Sequence, residues 1–426
     1  MRERILLCLA HMSGNEMKYI QEAFDQNWVV PLGPNVNGFE ADLENFINTR
    51  YTSLGTPSLL PLTHKVVALS SGTAAVHLAL VACDVKPLEE VIVQSFTFCA
   101  SSNPITYLGA TPIFVDSEPE TWNMDPLLLE KAIKERILIT GKKPKAIIPV
   151  ALYGMPYKID KIMEIADRYD IPVIEDAAEG FGSRFKGQVL GTFGKFGVLS
   201  FNGNKMITTS GGGALICPDE LIQKEIMFYA TQARESYPYY QHEKIGFNYR
   251  MSNICAGIGR GQMTILEDHI SHHKHVQELY WEQLKDVAGI KMHIAPSQEF
   301  DSNYWLCTAT LDPDLKIKGE EKAYSQKING VVGGAAGVTH EAESVHTEAE
   351  PNVNVEALRI ALDKANIEAR PLWKPMHLQP VYRNSPAYVN GVSESLFKVG
   401  ICLPAGPYVT DEDVRYITDT IKDSIL

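Results

Sequence analysis

The chain has 426 residues, of which 45% are apolar and 21% charged. That is ample material for a large domain plus a smaller one, and it excludes a disordered chain or a one-helix binding module. A formal charge of -13 disfavours general nucleic-acid binding, while a local basic pocket for an anionic substrate stays open.

The opening "MRERILLCLAHMSG" is too short for a signal-peptide core and lacks a small-residue cleavage site, so it reads as a strand or arm. No stretch reaches the roughly 18 to 20 continuous apolar residues of a membrane span. The seven cysteines are scattered singly, an odd total with no CxxC pair, which suits a reducing compartment and predicts a cytoplasmic protein. From about residue 64 to 217 short beta-rich runs alternate with amphipathic stretches. "KVVAL" leads into "SSGTAAVHLALVA", "EEVIVQ" into "TFCASSNPITYLG", "TPIFVD" into "DPLLLEKAIKER", "PKAIIPVAL" into "YKIDKIMEIADRY", and "IPVIED" follows. This order predicts an α/β protein with parallel strands joined by crossover helices. Ligands of such sheets gather at the carboxyl ends of the strands, where Ser70 to Thr73, Phe96 to Phe98, Asp176, Glu179 and Ser200 to Lys205 fall.

Residues 1–265 are read as an N-terminal arm and large domain, and 266–426 as a smaller C-terminal α/β domain. The latter opens on a long helix containing His269, His272, His273 and His275. No carboxylate accompanies them in a metal-site pattern, so they read as a solvated helix face and no metal is expected. Residues 327–355, small-residue-rich and then acidic, lack periodicity and read as a mobile insertion within about 320–355.

Three positions carry chemistry. In "ALSSGTAAVHLAL" a helix starts near Gly72, and free N–H groups beside Ser and Thr hydroxyls suit a phosphate, although serine capping without a ligand explains the same residues. In "IPVIEDAAEGFGS" a buried strand delivers Glu175 and Asp176, a placement that needs a cation or, alternatively, the N-cap of a following helix. Lys205, in "SFNGNKMITTSGGG", is a surface lysine when taken alone. After a phosphate cradle and an acid, each following a strand, it becomes a nucleophile for the aldehyde of pyridoxal 5'-phosphate, which needs all three groups. Gly211 to Gly213 read as a tight turn where side chains would collide.

These segments, together with "PVALYGMP", "GFNYRMSNICAGIGRGQ" and "EARPLWKPMHLQPVY", resemble the DegT-type sugar-nucleotide aminotransferases over nearly the whole chain. The resemblance implies a fold type I enzyme whose mostly parallel seven-stranded sheet is flanked by helices. It implies that Lys205 bonds the cofactor's aldehyde and shuttles the proton, and that Asp176 pairs with the ring nitrogen. Gly72, Thr73, Ser200 and Asn202 would lie at the cofactor, with Phe98 on the ring face and Glu179 near the 3-oxygen. Asn248 would reach the neighbouring subunit's phosphate in a homodimer with shared sites, unless it caps the helix that follows. Arg250, Arg370, Trp373 and His377 would face the substrate, with an ion-pair role left open for Arg250. The implied reaction moves an amino group from glutamate to the keto carbon, C4 before C3, of a UDP-linked 4-keto-6-deoxy sugar. A non-catalytic sugar-nucleotide regulator of the same fold would have lost Lys205 or Asp176. Relatives that dehydrate sugars carry histidine in place of the lysine.

Overall fold

The computed structural model describes residues 2–49, 63–324 and 349–426. Seven short strands come together in its first half: β1 (Lys65–Leu69), β2 (Glu90–Gln94), β3 (Thr111–Val115), β4 (Ile147–Ile148), β5 (Ile174–Asp176), β6 (Phe196–Ser200) and β7 (Gly213–Cys217). They lie in the order β1-β7-β6-β5-β4-β2-β3, with bridges Ile147–Val173 and Val150–Asp176 joining the two halves of the sheet. All neighbours run parallel except β7, which is antiparallel to both β1 and β6. The expected mostly parallel seven-stranded sheet is therefore present.

Both faces of this sheet are covered, so its strands are apolar without alternation. Successive residues still point to opposite sides. Val66 and Ala68 enter one core with Phe39 and Leu43, whereas Val67 and Leu69 enter the other with Val76 and Leu80. The helix Gly72–Ala82 lies against the second core and is buried over most of its length. In "TFCASSNPITYLG" the crossover is a 3-10 turn, Cys99–Ser101, and a short helix, Asn103–Tyr107, because Pro104 has no N–H to give and fits only a first helical turn.

A second sheet, antiparallel, runs Ile290–Met292, Cys307–Leu311, Gly400–Leu403, Arg370–Pro371. Helices Leu266–Leu284, Val353–Lys364 and Asp411–Ser424 share its core through Val276, Tyr280, Leu358, Leu362, Ile417 and Ile421. The two halves of the chain interlock: Ile5 of the N-terminal arm bridges to Ile367, and Ala387–Tyr388 adds a parallel strand to β3. This second crossing brings the segment 370–388 back beside the large sheet.

The solvated histidine face holds for His275, which is exposed, and in part for His272, but is corrected by the structure for the other two. His269 and His273 are buried, and each places Nδ1 on a backbone carbonyl, of Met206 and Tyr304 respectively, at 3.1 Å. Burial pushes the His273 ring down to about 3. His269 also meets His11 Nδ1 through Nε2 at 3.2 Å, whereas His273 Nε2 is buried without a partner, and a neutral ring lowers the cost of burying it. Most of the expected insertion, 325–348, lies outside the described residues; its flanks form the turn Glu320–Lys322 and the start of helix Val353–Lys364.

Candidate active site

Three chain turns, after β5, β6 and β2, meet at one point. β5 ends on Asp176, which is buried and accepts from Ser101 Oγ at 2.6 Å and from the Ala178 N–H at 3.1 Å. The residues after it form a turn rather than a helix, so the N-cap alternative for Asp176 falls away. Glu179, on that turn, is buried too and accepts the Tyr153 N–H at 2.7 Å. The loop after β6 delivers Lys205, whose Nζ lies 3.3 Å from Glu179 Oε1 and 4.1 Å from the centroid of the Trp305 ring.

Burial raises both carboxylates above their ordinary range, and Glu179 is pushed up to about 6 although the Lys205 amine opposes the rise. For Asp176 the Ser101 hydroxyl, the Ala178 N–H and Lys205 all work against burial. Two carboxylates against one amine leave one negative charge in excess, and buried negative charge demands a cation or a proton. A cationic group bound beside Asp176, or a proton on Glu179, would supply it.

The start of helix Gly72–Ala82 is shaped by close-packed glycines. Ser71 caps helix Gly72–Ala82 by accepting the Ala74 N–H at 3.0 Å, so the capping role is real. A Cβ on Gly72 would lie 3.1 Å from Ser200 Cβ, which puts Gly72, Thr73 and Ser200 around one small space at the helix start. Such a start, with N–H groups free of intrahelical partners, is an anion site. A Cβ on Gly213 would overlap the Ser71 carbonyl carbon and the Gly72 nitrogen, and one on Gly212 the Thr209 hydroxyl, as the turn reading requires. Gly211 differs: the space around it is open. Asn202 is exposed and gives its carbonyl to the Lys205 N–H at 3.0 Å, closing the turn that carries the lysine.

A chain of aromatic rings starts from Trp305 beside the amine. Phe98 is exposed and packs at 5.5 Å on Trp373, which lies 5.4 Å from Tyr153 and 6.3 Å from Trp305. Tyr153 and Trp305 carry no signal in the sequence, yet they hold the site together. Tyr153 adopts φ 55, a strained value for a tyrosine, and from there its N–H reaches Glu179 while its hydroxyl accepts the Trp373 N–H at 2.9 Å. Trp305 donates Nε1–H to the Asn204 carbonyl at 2.6 Å, beside the lysine. Asn303 ties the same turn to the second sheet, donating to the carbonyls of Glu179 and Phe181 at 2.8 and 2.9 Å.

Of the substrate candidates, Trp373 and His377 lie on the segment that returns to the large sheet; His377 Nδ1 is 2.6 Å from Ser95 Oγ. Arg370 pairs with Glu368 at 2.6 Å. Arg250 takes the ion-pair role: its buried guanidinium lies 2.5 Å from Glu40 and 2.8 Å from the Ala68 carbonyl. Asn248 is exposed, and Ser252 rather than Asn248 caps the helix that follows, accepting the Ile254 N–H. Among the described residues no group of three His, Cys, Asp or Glu side chains is placed to hold a metal ion.

Comparison with known proteins agrees with this geometry. Residues 11–333 and 322–422 match the DegT/DnrJ/EryC1/StrS aminotransferase family. EpsN of Bacillus subtilis (strain 168), named as a pyridoxal phosphate-dependent aminotransferase, is 42% identical, covering 99% of this chain and 96% of its own length. GDP-perosamine synthase of Escherichia coli O157:H7 is 32% identical over 97% of this chain and 96% of its own. A crystal structure of a DegT DnrJ EryC1 StrS aminotransferase from Brucella abortus has a TM-score of 0.78 at 26% identity, covering 96% of this chain and 95% of that one. The chain belongs to the DegT/DnrJ/EryC1/StrS aminotransferase family. It is a fold type I, pyridoxal phosphate-dependent sugar aminotransferase.

Proposed function

We propose that the enzyme transfers the amino group of glutamate to C4 of a nucleotide-linked 4-keto-6-deoxy sugar for a surface glycan. It works in the cytoplasm as a homodimer whose exposed Asn248 enters the partner's phosphate site. The observation that carries this reading is the pair of buried carboxylates, Asp176 and Glu179, beside the partly buried Lys205, joined through Tyr153 to the Trp373 segment.

Pyridoxal phosphate, when bound, supplies an aldehyde that takes up the amino group and a cationic ring that stabilises negative charge on the reacting carbon. Gly72, Thr73 and Ser200 would hold its phosphate end, Asn202 would lie at the cofactor, and Phe98 would cover the ring. Asp176, kept an acceptor by Ser101 and the Ala178 N–H, holds the proton on the ring nitrogen. Glu179 carries a proton readily because burial raises it, so it can sit against the 3-oxygen without repulsion. Lys205, placed by Glu179 and Trp305, removes the proton from the glutamate carbon and returns one to the sugar carbon. Glutamate and sugar use the site in turn, so the kinetics are ping-pong.

Arg370, Trp373 and His377 suit the diphosphate and the flat face of a base or sugar. The resemblance favours UDP, whereas the Escherichia coli relative is named for a GDP-linked sugar, so the test uses UDP-, dTDP- and GDP-linked 4-keto-6-deoxy sugars with glutamate. Formation of 2-oxoglutarate together with a 4-amino sugar from one of them supports the proposal. Amination at C3, or no amination of any of them, overturns it.

A further inference from the structure

The Ser95–His377 contact has a proton balance with one solution. Ser95 follows β2 directly and is fully buried; its N–H bonds to the Val115 carbonyl at 2.8 Å and its carbonyl accepts the Met376 N–H at 2.8 Å. Its position is therefore set from both sides. Its Oγ lies 2.6 Å from His377 Nδ1 and 3.2 Å from the His377 backbone N–H. A hydroxyl has one proton and two lone pairs. The backbone N–H can only donate, so it occupies a lone pair. Among the described residues Nδ1 is the remaining group bonded to this oxygen. Were Nδ1 to carry a proton, the Ser95 O–H would be buried without an acceptor, a loss of about 1–3 kcal/mol. Nδ1 therefore accepts, and the ring proton resides on Nε2.

We propose that Ser95 is a positioning residue that holds His377 as the neutral Nε2–H tautomer, so that the imidazole donates a hydrogen bond to an oxygen of the sugar nucleotide. The proposal rests on the placement of His377 at the substrate end of the site. Charging the ring would put a proton on Nδ1, reverse the same bond and leave the Ser95 O–H without an acceptor. Burial also disfavours the charge, against the pull of Asp116 at the end of β3 and Glu394 in helix Val392–Val399. Asp116 already accepts four backbone N–H groups, from Ser117, Asn390, Gly391 and Ser393, and Glu394 is paired with Lys398. His377 thus acts as a neutral donor, not as a cation against the diphosphate.

The test is imidazole ¹⁵N NMR on the full-length holoenzyme between pH 6 and 8, with the His377 signals assigned by their loss in His377→Gln. The expected result is a single Nε2–H pattern in the native protein, lost in Ser95→Ala and kept in Ser95→Thr, whose hydroxyl can replace the original. Ser95→Ala should raise KM for the keto sugar about tenfold, more than it lowers kcat. Weakened binding of the free nucleoside diphosphate in that variant assigns the acceptor to the diphosphate, and weakened binding of the intact sugar nucleotide alone assigns it to the sugar. A native ring protonated on Nδ1, or charged throughout that range, overturns the proposal whether or not the variants fold. So does a Ser95→Ala protein with tautomer and KM unchanged. If no keto sugar is aminated, the reaction assignment fails while the spectrum still decides the tautomer.

Discussion

Nζ of Lys205, a partly buried side chain, lies 3.3 Å from Oε1 of the buried Glu179, and Glu179 is still raised from 4.5 to about 6. Between these values the folded chain holds a proton that the unfolded chain has released. Its stability therefore falls as pH rises through that window and stays lower above it. Glu179→Gln removes the penalty, so in the cofactor-free protein the variant should match the native chain near pH 4.5 and gain up to about 2 kcal/mol above pH 6. Urea unfolding across that range checks it; a difference that does not change with pH counts against the burial argument.

Among the described residues Ser101 supplies the side-chain hydrogen bond that Asp176 accepts, at 2.6 Å. Removing a hydrogen bond to a buried charge loses about 1.5–3 kcal/mol. Ser101→Ala should lower kcat by about tenfold to a hundredfold, with weaker cofactor binding, and Asp176→Asn should do worse. Steady-state rates at saturating cofactor decide this, and native kcat in Ser101→Ala would show that the hydroxyl does not support the acid.

The three glycines after the lysine loop are not equivalent. A methyl at Gly213 meets backbone atoms of Ser71 and Gly72, which cannot move aside without opening the helix start, whereas one at Gly211 meets open space. Gly213→Ala should destabilise by at least about 1–3 kcal/mol and weaken cofactor binding, while Gly211→Ala changes stability by no more than about 0.5 kcal/mol. Thermal melts with and without cofactor separate the two, and equal effects would contradict the close approach.

Arg250 and Glu40 form a buried pair at 2.5 Å, with side chains 8% and 11% exposed. Arg250→Met strands the carboxylate and should cost about 3–5 kcal/mol, most of it regained in the double variant with Glu40→Gln. Denaturant unfolding of Arg250→Met, Glu40→Gln and the double variant measures this. A folded, stable Arg250→Met enzyme with raised sugar KM would return Arg250 to the substrate.

The parts of the site that stand out in the sequence are those whose chemistry is costly without a ligand: Asp176 at a buried strand end, Lys205 after another, and the cradle at Gly72. The sheet shows through its apolar runs, though the run Gly213–Cys217 does not reveal that this strand is reversed, since a strand buried on both faces reads alike in either direction. Tyr153, Trp305, Asn303, Ser95 and Ser101 escape sequence reading because each is an ordinary residue until the chain brings it beside a distant partner. His269 and His273 escape for the opposite reason: a polar type is held in the interior by a carbonyl on Nδ1 and a neutral ring.

The central claim is that the Lys205 amine, and no other, bonds the aldehyde of pyridoxal phosphate beside Asp176. Borohydride reduction of the loaded enzyme followed by peptide mass spectrometry reads this bond directly. The phosphopyridoxyl mass is expected on the peptide containing Lys205 and nowhere else, and absent in Lys205→Ala, which should also lose turnover while keeping its fold. Labelling of another lysine in the native enzyme, or turnover at the native rate in Lys205→Ala, would contradict the account.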